Sequence, residues 1–193
     1  DDLLAQVIAE LGEIPPAADV RVIYLFDRAG GFLYPLAYAG YDESNLWRIR
    51  LQPGESISGR VFESGESVLA RTPEEVATVA GQLRPENESL YASAIGGKQI
   101  ASNLCAPLIT TTFDIIGTIT LSSTQSSFDD GDLALAEGVA SHVAQAIAGA
   151  QNVRDLTESE DRYRQLSAFL PVGISESTAS GRLLYWNTKA EEI

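Results

Sequence analysis

Two side chains in this sequence could act as a nucleophile or a base near neutral pH, and each occurs once: Cys105 and His142. A single cysteine cannot form a disulfide within the chain, and it cannot build a multi-cysteine metal site. A reactive cysteine needs exposure and a lowered pKa. Cys105 instead lies between Leu104 and Ala106 in a run that reads as a buried strand. His142 sits in an Ala-rich helical stretch, with no nucleophile motif around it to complete a Ser/His/Asp triad. The pairs Gly30-Gly31 and Gly96-Gly97 read as turns, because neither opens a helix after a strand as a phosphate loop requires. No residue is therefore assigned as catalytic or as a metal ligand, and no cofactor is identified.

What remains is chemistry of binding. Ligand pockets are mostly apolar with a few placed polar groups. Tyr41, Trp47, Leu90, Tyr91, Ile95 and Cys105 are the candidate ligand-binding residues, although each also reads as core filling. Ser102, Asn103 and Asp114 are polar residues expected near the same face.

These residues must be positioned by a series of short elements. Leu3, Leu4, Val7, Ile8 and Leu11 follow one helix face. Val20, Val22, Tyr24 and Phe26 alternate as a strand, and Phe32, Tyr34, Leu36 and Tyr38 alternate on the strand that returns. Pro35 lacks an N–H, which makes that second strand an edge. A turn at Pro53-Gly54 leads to a short helix over Ser58–Glu63, a turn at Gly65 and a strand over Ser67–Ala70. Thr72 as N-cap, with Pro73 and Glu75, predicts a helix to about Leu83. The rest of 72–101 is expected to be an irregular loop, as in a lid. Ser102–Ile109 and Asp114–Leu121 predict a second hairpin.

A helical pattern then runs from about Asp129 to Ala168. Asp129 and Asp132 form its capping box, and Phe128 and Leu133 a hydrophobic staple. Unbroken, it would be about 60 Å long. Val153, Leu156 and Tyr163 give a weak heptad seam, interrupted by Glu160. Pro171 is expected to end the helix, with two short strands around Ser180-Gly181 beyond it.

Composition narrows the partners. The net charge is −14, from 27 acidic and 13 basic residues, which argues against nucleic acid and against an anionic membrane surface. No apolar run is long enough to span a bilayer, and no signal peptide is recognised. The expected location is the cytoplasm. The chain begins at Asp1 rather than Met and is read as part of something longer.

The order of elements, with three local stretches, resembles a GAF domain. The first stretch is Leu51 to Val61 with Glu63-Ser64-Gly65-Glu66, where Ser56 stands at a position commonly glycine. The second is Asn103 to Leu108 followed by Ile116-Gly117-Thr118-Ile119, and the third is Phe128-Asp129-Asp130. Farther on, Arg162 to Leu166 and Gly181 to Asn187 resemble the opening of a PAS domain. The resemblance implies an α+β fold: a GAF-like antiparallel β-sheet with helices on both faces, a long C-terminal signalling helix and a partial PAS-like segment. The implied divisions are 1–150 for the sensor domain, 151–170 for the connecting helix and 171–193 for the truncated PAS-like start. The ligand pocket would lie under the lid.

The family's bilin-attaching members use a Cys near a His, its methionine sulfoxide reductases use several cysteines, and its cyclic-nucleotide binders carry an Asn-Lys-Phe-Asp-Glu signature. This sequence has none of these. The resemblance implies a regulatory module of a signal-transduction protein such as a sensor histidine kinase, not itself an enzyme. It would sense an unidentified small-molecule ligand and form a homodimer through its N- and C-terminal helices. The alternative is a ligand-free dimerisation or spacer module.

Overall fold

The computed structural model describes residues 18–169, 175–178, 180 and 183–186. The expected first helix, Leu3 to Leu11, lies outside the described residues, as do Pro171, Gly181 and Asn187. The chain divides into two compact units, Asp1–Ala146 and Ile147–Ile193.

In the first unit, strands β1 (Val20–Asp27) and β2 (Phe32–Ala39) form the expected hairpin. Helix α1 (Glu43–Leu46) and helix α2 (Ser56–Ser64) follow, then strand β3 (Val68–Ala70). Helices α3 (Pro73–Val79) and α4 (Pro85–Ile95) lead to strands β4 (Ser102–Ile109) and β5 (Ile115–Ser123). Helix α5 runs Asp130–Phe169. The sheet is antiparallel, in the order β2-β1-β5-β4-β3. Pro35 is indeed on an edge strand, where its missing N–H costs no central ladder bond. Gly117 in β5 is needed for close approach: a Cβ there would run into the Tyr24 carbonyl of β1.

Local signals account for the helix ends. The Thr72 hydroxyl accepts the Glu75 N–H at 3.2 Å, and the Glu75 carboxylate accepts the Arg71 N–H at 2.6 Å. At the head of α5, Asp129 and Asp132 each accept the other's backbone N–H, at 3.0 and 2.9 Å. This is the reciprocal capping box expected from the sequence. Gly65 closes α2 in the left-handed conformation at φ 72°.

One expectation is overturned. The stretch after Leu83 is not a loop: it folds as α4, with Pro85 in the first turn and left-handed Gly96 as its cap. Leu90, Tyr91, Ala94 and Ile95 recur at four-residue spacing, a helical signal. Helix α3, in turn, stops at Val79, short of Leu83, and Gly81 follows at φ 65°.

Alternation gives the sheet two chemically different faces. One carries Ile23, Leu104, Leu108, Ile119 and Leu121, all fully buried. Ser102 shares that face and joins it to the approach to α5: its hydroxyl donates to the Ser126 carbonyl and accepts the Phe128 N–H. Within α5, Ala136, Ala140 and Ala144 form a buried stripe of small residues. The other face carries Val22, Tyr24, Asn103, Cys105, Thr118, Thr120 and Ser122, and it forms the floor of the site.

In the second unit, strands β6 (Ser175–Ser177) and β7 (Leu183–Trp186) pair antiparallel. These are the two short strands expected around Ser180. The side chains of Val153, Leu156 and Tyr163, which would form the heptad seam, lie outside the described ones. Among the described residues, no helix is long and apolar enough to cross a membrane.

Candidate functional site

A cavity of about 440 Å³ lies over the second face of the sheet. Its floor is Val22 and Tyr24 from β1, Asn103 from β4, and Thr120 and Ser122 from β5. Ser56, Ile57 and Ser58 of α2 close one side, and Tyr41, Ile49 and Leu51 another. The cover is α3 with the joint after it, through Val76, Val79 and residues 80–83, and α4 through Glu88 and Tyr91.

The strand register assembles the floor. Asn103 sits opposite Ser122, Cys105 opposite Thr120, and Thr120 opposite Val22. Hydroxyls at every second position of β5 therefore fall beside the β4 side chains. Asn103 Nδ2 donates to Ser122 Oγ at 2.7 Å. Ser58 Oγ and Thr120 Oγ1 are 3.0 Å apart, and Thr120 Oγ1 donates to Cys105 Sγ at 3.1 Å. Because the Thr120 proton is committed to sulfur, Ser58 is the donor of its pair. Asn103 Oδ1 is buried with no hydrogen-bond partner.

Among the described residues the lining carries no lysine, arginine or histidine, and its one charged residue, Glu88, is exposed. Burial pushes the Tyr24, Tyr41 and Tyr91 hydroxyls up, so all three stay protonated. Tyr41 and Tyr91 meet edge-to-face with ring centroids 6.3 Å apart. Burial likewise pushes the Cys105 thiol up to about 12, against the neighbouring Thr120, Thr118 and Ser58 hydroxyls that pull it down. A neutral, enclosed thiol is neither a nucleophile nor a metal ligand. The arrangement offers neutral hydroxyl and amide groups among apolar side chains.

A separate network fixes the cover. Glu55 is buried just ahead of α2. Its carboxylate accepts the Gln52 N–H at 2.9 Å, the Arg84 N–H at 2.9 Å, Arg84 Nε at 2.9 Å and Asn87 Nδ2 at 2.7 Å. Arg84 and Asn87 also donate to the Arg50 carbonyl. Arg60 of α2 reaches the Val79 carbonyl at the end of α3. The joint between α3 and α4 is thus bonded to α2 and to the chain before it.

Of the candidate residues, Tyr41 and Tyr91 line the cavity. Leu90 is half-buried against the core formed by Val22, Leu33, Leu46 and Ala94. Ile95 is buried at the end of α4. Cys105 is wholly enclosed beside Thr120 and outside the lining. Trp47 is 58% exposed and away from the cavity, because Leu46 and Ile49 take the inward positions around it. Asn103 is in the floor as expected. Ser102, one residue earlier, points to the opposite face, and Asp114 is exposed in the β4–β5 turn, 3.7 Å from Arg28. Ser58, Thr120 and Ser122 escaped sequence reading, although the alternation Thr118-x-Thr120-x-Ser122 marks a row of hydroxyls on one sheet face. His142 is exposed on α5. Among the described residues no cluster of three or more His, Cys, Asp or Glu could hold a metal.

Comparison with known proteins places this architecture. The family described as GAF domain matches residues 1–148. A GAF domain from a phosphoenolpyruvate-protein phosphotransferase of Coxiella burnetii superposes with a TM-score of 0.66 at 23% identity, over 80% of this chain and 85% of that one. The corresponding Acinetobacter domain gives 0.64 at 19% identity, over 79% and 84%. The domain assigned to a two-component sensor histidine kinase protein of Sinorhizobium meliloti 1021 gives 0.57 at 18%, over 82% and 96%. No curated protein matches the chain.

Proposed function

We propose a function on one premise: the chain belongs to the GAF domain family. GAF domains are signalling and sensing modules, and the module is regulatory rather than catalytic in itself. The protein senses a small molecule in the cavity beneath α3 and α4 and relays its presence through α5 to a downstream unit. The observation that carries this reading is the cavity of about 440 Å³ between the sheet and the α3–α4 cover, lined by apolar side chains with Asn103 and several hydroxyls among them. A module serving only as a spacer has no need of such a space, and filling it would be stabilising.

The relay follows from linkage. A ligand that binds one arrangement of the cover more tightly than another shifts the balance between them by its difference in affinity. Helix α5 starts from the sheet face opposite the cavity, so a change in the floor is passed to it through the strands. In the same proposal residues 171–193 are the start of a PAS domain, a reading supported by the β6–β7 pair and the sequence around it. The parent protein is a sensor histidine kinase in the cytoplasm, working as a homodimer paired along the N- and C-terminal helices. A domain of this fold occurs in the Sinorhizobium sensor kinase protein.

Native mass spectrometry of the freshly purified chain tests the sensing function. A retained small molecule, lost on unfolding and returned on refolding with a metabolite extract, is the expected result. A chain that carries nothing and gains nothing from such an extract would leave the spacer function in its place.

A further inference from the structure

We propose that the cavity recognises an uncharged amide edge, an N–H and a C=O side by side, as in a lactam, a cyclic imide or a primary amide. This rests on the sensing function proposed above and specifies its ligand class. The first observation is Asn103 Oδ1, a buried acceptor without a partner among the described residues, on a residue that is 6% exposed and belongs to the cavity floor. Buried polar groups are nearly always satisfied, so an orphaned acceptor beside a cavity marks where a donor belongs. The second is Ser122, directly across the strand pair. Its oxygen accepts from Asn103 Nδ2, and among the described residues its own proton has no acceptor. An acceptor and a donor therefore stand next to each other, one on β4 and one on β5. Their complement is a donor next to an acceptor, the pattern of an amide edge.

Charge sets the rest of the class. Among the described residues no cationic side chain lines the cavity, and the single carboxylate there, Glu88, is exposed. A buried anion would lack a counter-charge, and a buried cation would lack an enclosed carboxylate, so either would lose its hydration uncompensated. A neutral amide meets no such penalty. The remainder of the ligand is apolar, packed against Val22, Ile49 and Val79 with the Tyr41–Tyr91 pair at one side.

The test uses the whole chain with three probes of similar size: 2-piperidone, its N-methyl derivative and cyclohexanecarboxylate. Backbone amide chemical shifts in NMR are followed to millimolar concentrations. The expected result is that 2-piperidone shifts resonances of β4, β5 and α4, and that N-methylation weakens binding about tenfold or more by removing the donor. Ser122→Ala should weaken 2-piperidone by a similar factor. Asn103→Asp, which keeps the shape but adds a negative charge, should change the preference among the probes. Equal binding of the N-methyl compound, or tighter binding of the carboxylate, would overturn the amide edge while leaving a sensor with another ligand. A molecule recovered by native mass spectrometry without such an edge would do the same. A cavity that takes none of the probes, in a chain that also retains no metabolite, would overturn both.

Discussion

Glu55 and Arg84 are bonded twice over: the Arg84 backbone N–H lies 2.9 Å from Glu55 Oε1, and its Nε lies 2.9 Å from Oε2. One buried carboxylate thereby holds the joint between α3 and α4 by both main chain and side chain. Asn87, in the first turns of α4, adds a third bond at 2.7 Å. Removing one partner of a buried, hydrogen-bonded charge leaves the others unsatisfied. Glu55→Ala should destabilise the domain by about 2–4 kcal/mol, read as a lower urea midpoint. Arg84→Ala should cost less, because its side chain is about one-third exposed (34%) and water replaces part of what is lost. Hydrogen exchange should rise first in α3 and α4 in both variants. Exchange that rose first in β4 and β5 would remove the network from its role as the lid's anchor.

The same carboxylate gives stability an acid limit. Burial raises the Glu55 pKa, but bonds from Asn87, Gln52 and Arg84 outweigh it and hold the group below its ordinary value. Asp19 is also held down, chiefly by the Thr124 side chain and backbone N–H, which it accepts at 2.6 and 2.7 Å. A carboxyl whose folded pKa lies below its unfolded one adds stability above the unfolded value and loses it as pH falls through the folded value. Unfolding midpoints should therefore hold from neutral pH down to about 5 and fall below about 4.3. Glu55→Gln, destabilised at pH 7, should approach the parent in that acid range. A gap between the two that stayed constant with pH would show that Glu55 does not carry the titration.

The sheet and its edges were legible because each depends on local chemistry: alternation for β1, β2, β4 and β5, Pro35 for the edge, and Asp129 with Asp132 for the start of α5. Helix α4 was hidden because Pro85 and the Gly96-Gly97 pair read as loop punctuation. In the structure Pro85 and Gly96 are the boundaries of a helix. Five of the six candidate ligand-binding residues were large aromatic or aliphatic side chains, which are distributed by how a helix turns. Trp47 was lost to solvent because its neighbours Leu46 and Ile49 point inward. The polar floor depends on cross-strand register between β4 and β5, and register comes from pairing rather than from either strand alone.

Ser56 has φ 58°, a left-handed conformation that costs a non-glycine residue about 1–2 kcal/mol. It lines the cavity. Glycine would relieve the strain but lose about 0.5–1 kcal/mol in backbone entropy. Ser56→Gly should therefore be neutral or stabilising by up to about 1 kcal/mol, and Ser56→Val destabilising by at least about 1 kcal/mol because of its β-branch. Paired thermal or urea denaturation reads the difference. A Ser56→Val variant as stable as the parent would mean that the residue is not held in this conformation.

Cys105 should be inert in the folded protein. Its thiol is fully buried, and burial holds its pKa at about 12 in spite of the Thr120, Thr118 and Ser58 hydroxyls. A thiol so raised is almost wholly protonated at pH 8, and the thiolate is the species that attacks a disulfide reagent. The reagent must also wait for α2 to lift from the sheet, since Cys105 is packed beneath Ile57 and Val61. Labelling with an aromatic disulfide should thus be slow in buffer, rise with urea below the unfolding midpoint, and become immediate above it. A ligand seated over Thr120 and Ser122 should slow it further, because closing the cavity opposes the same opening. Rapid labelling of the native chain at neutral pH would contradict the enclosed thiol, and with it the packing of the cavity floor.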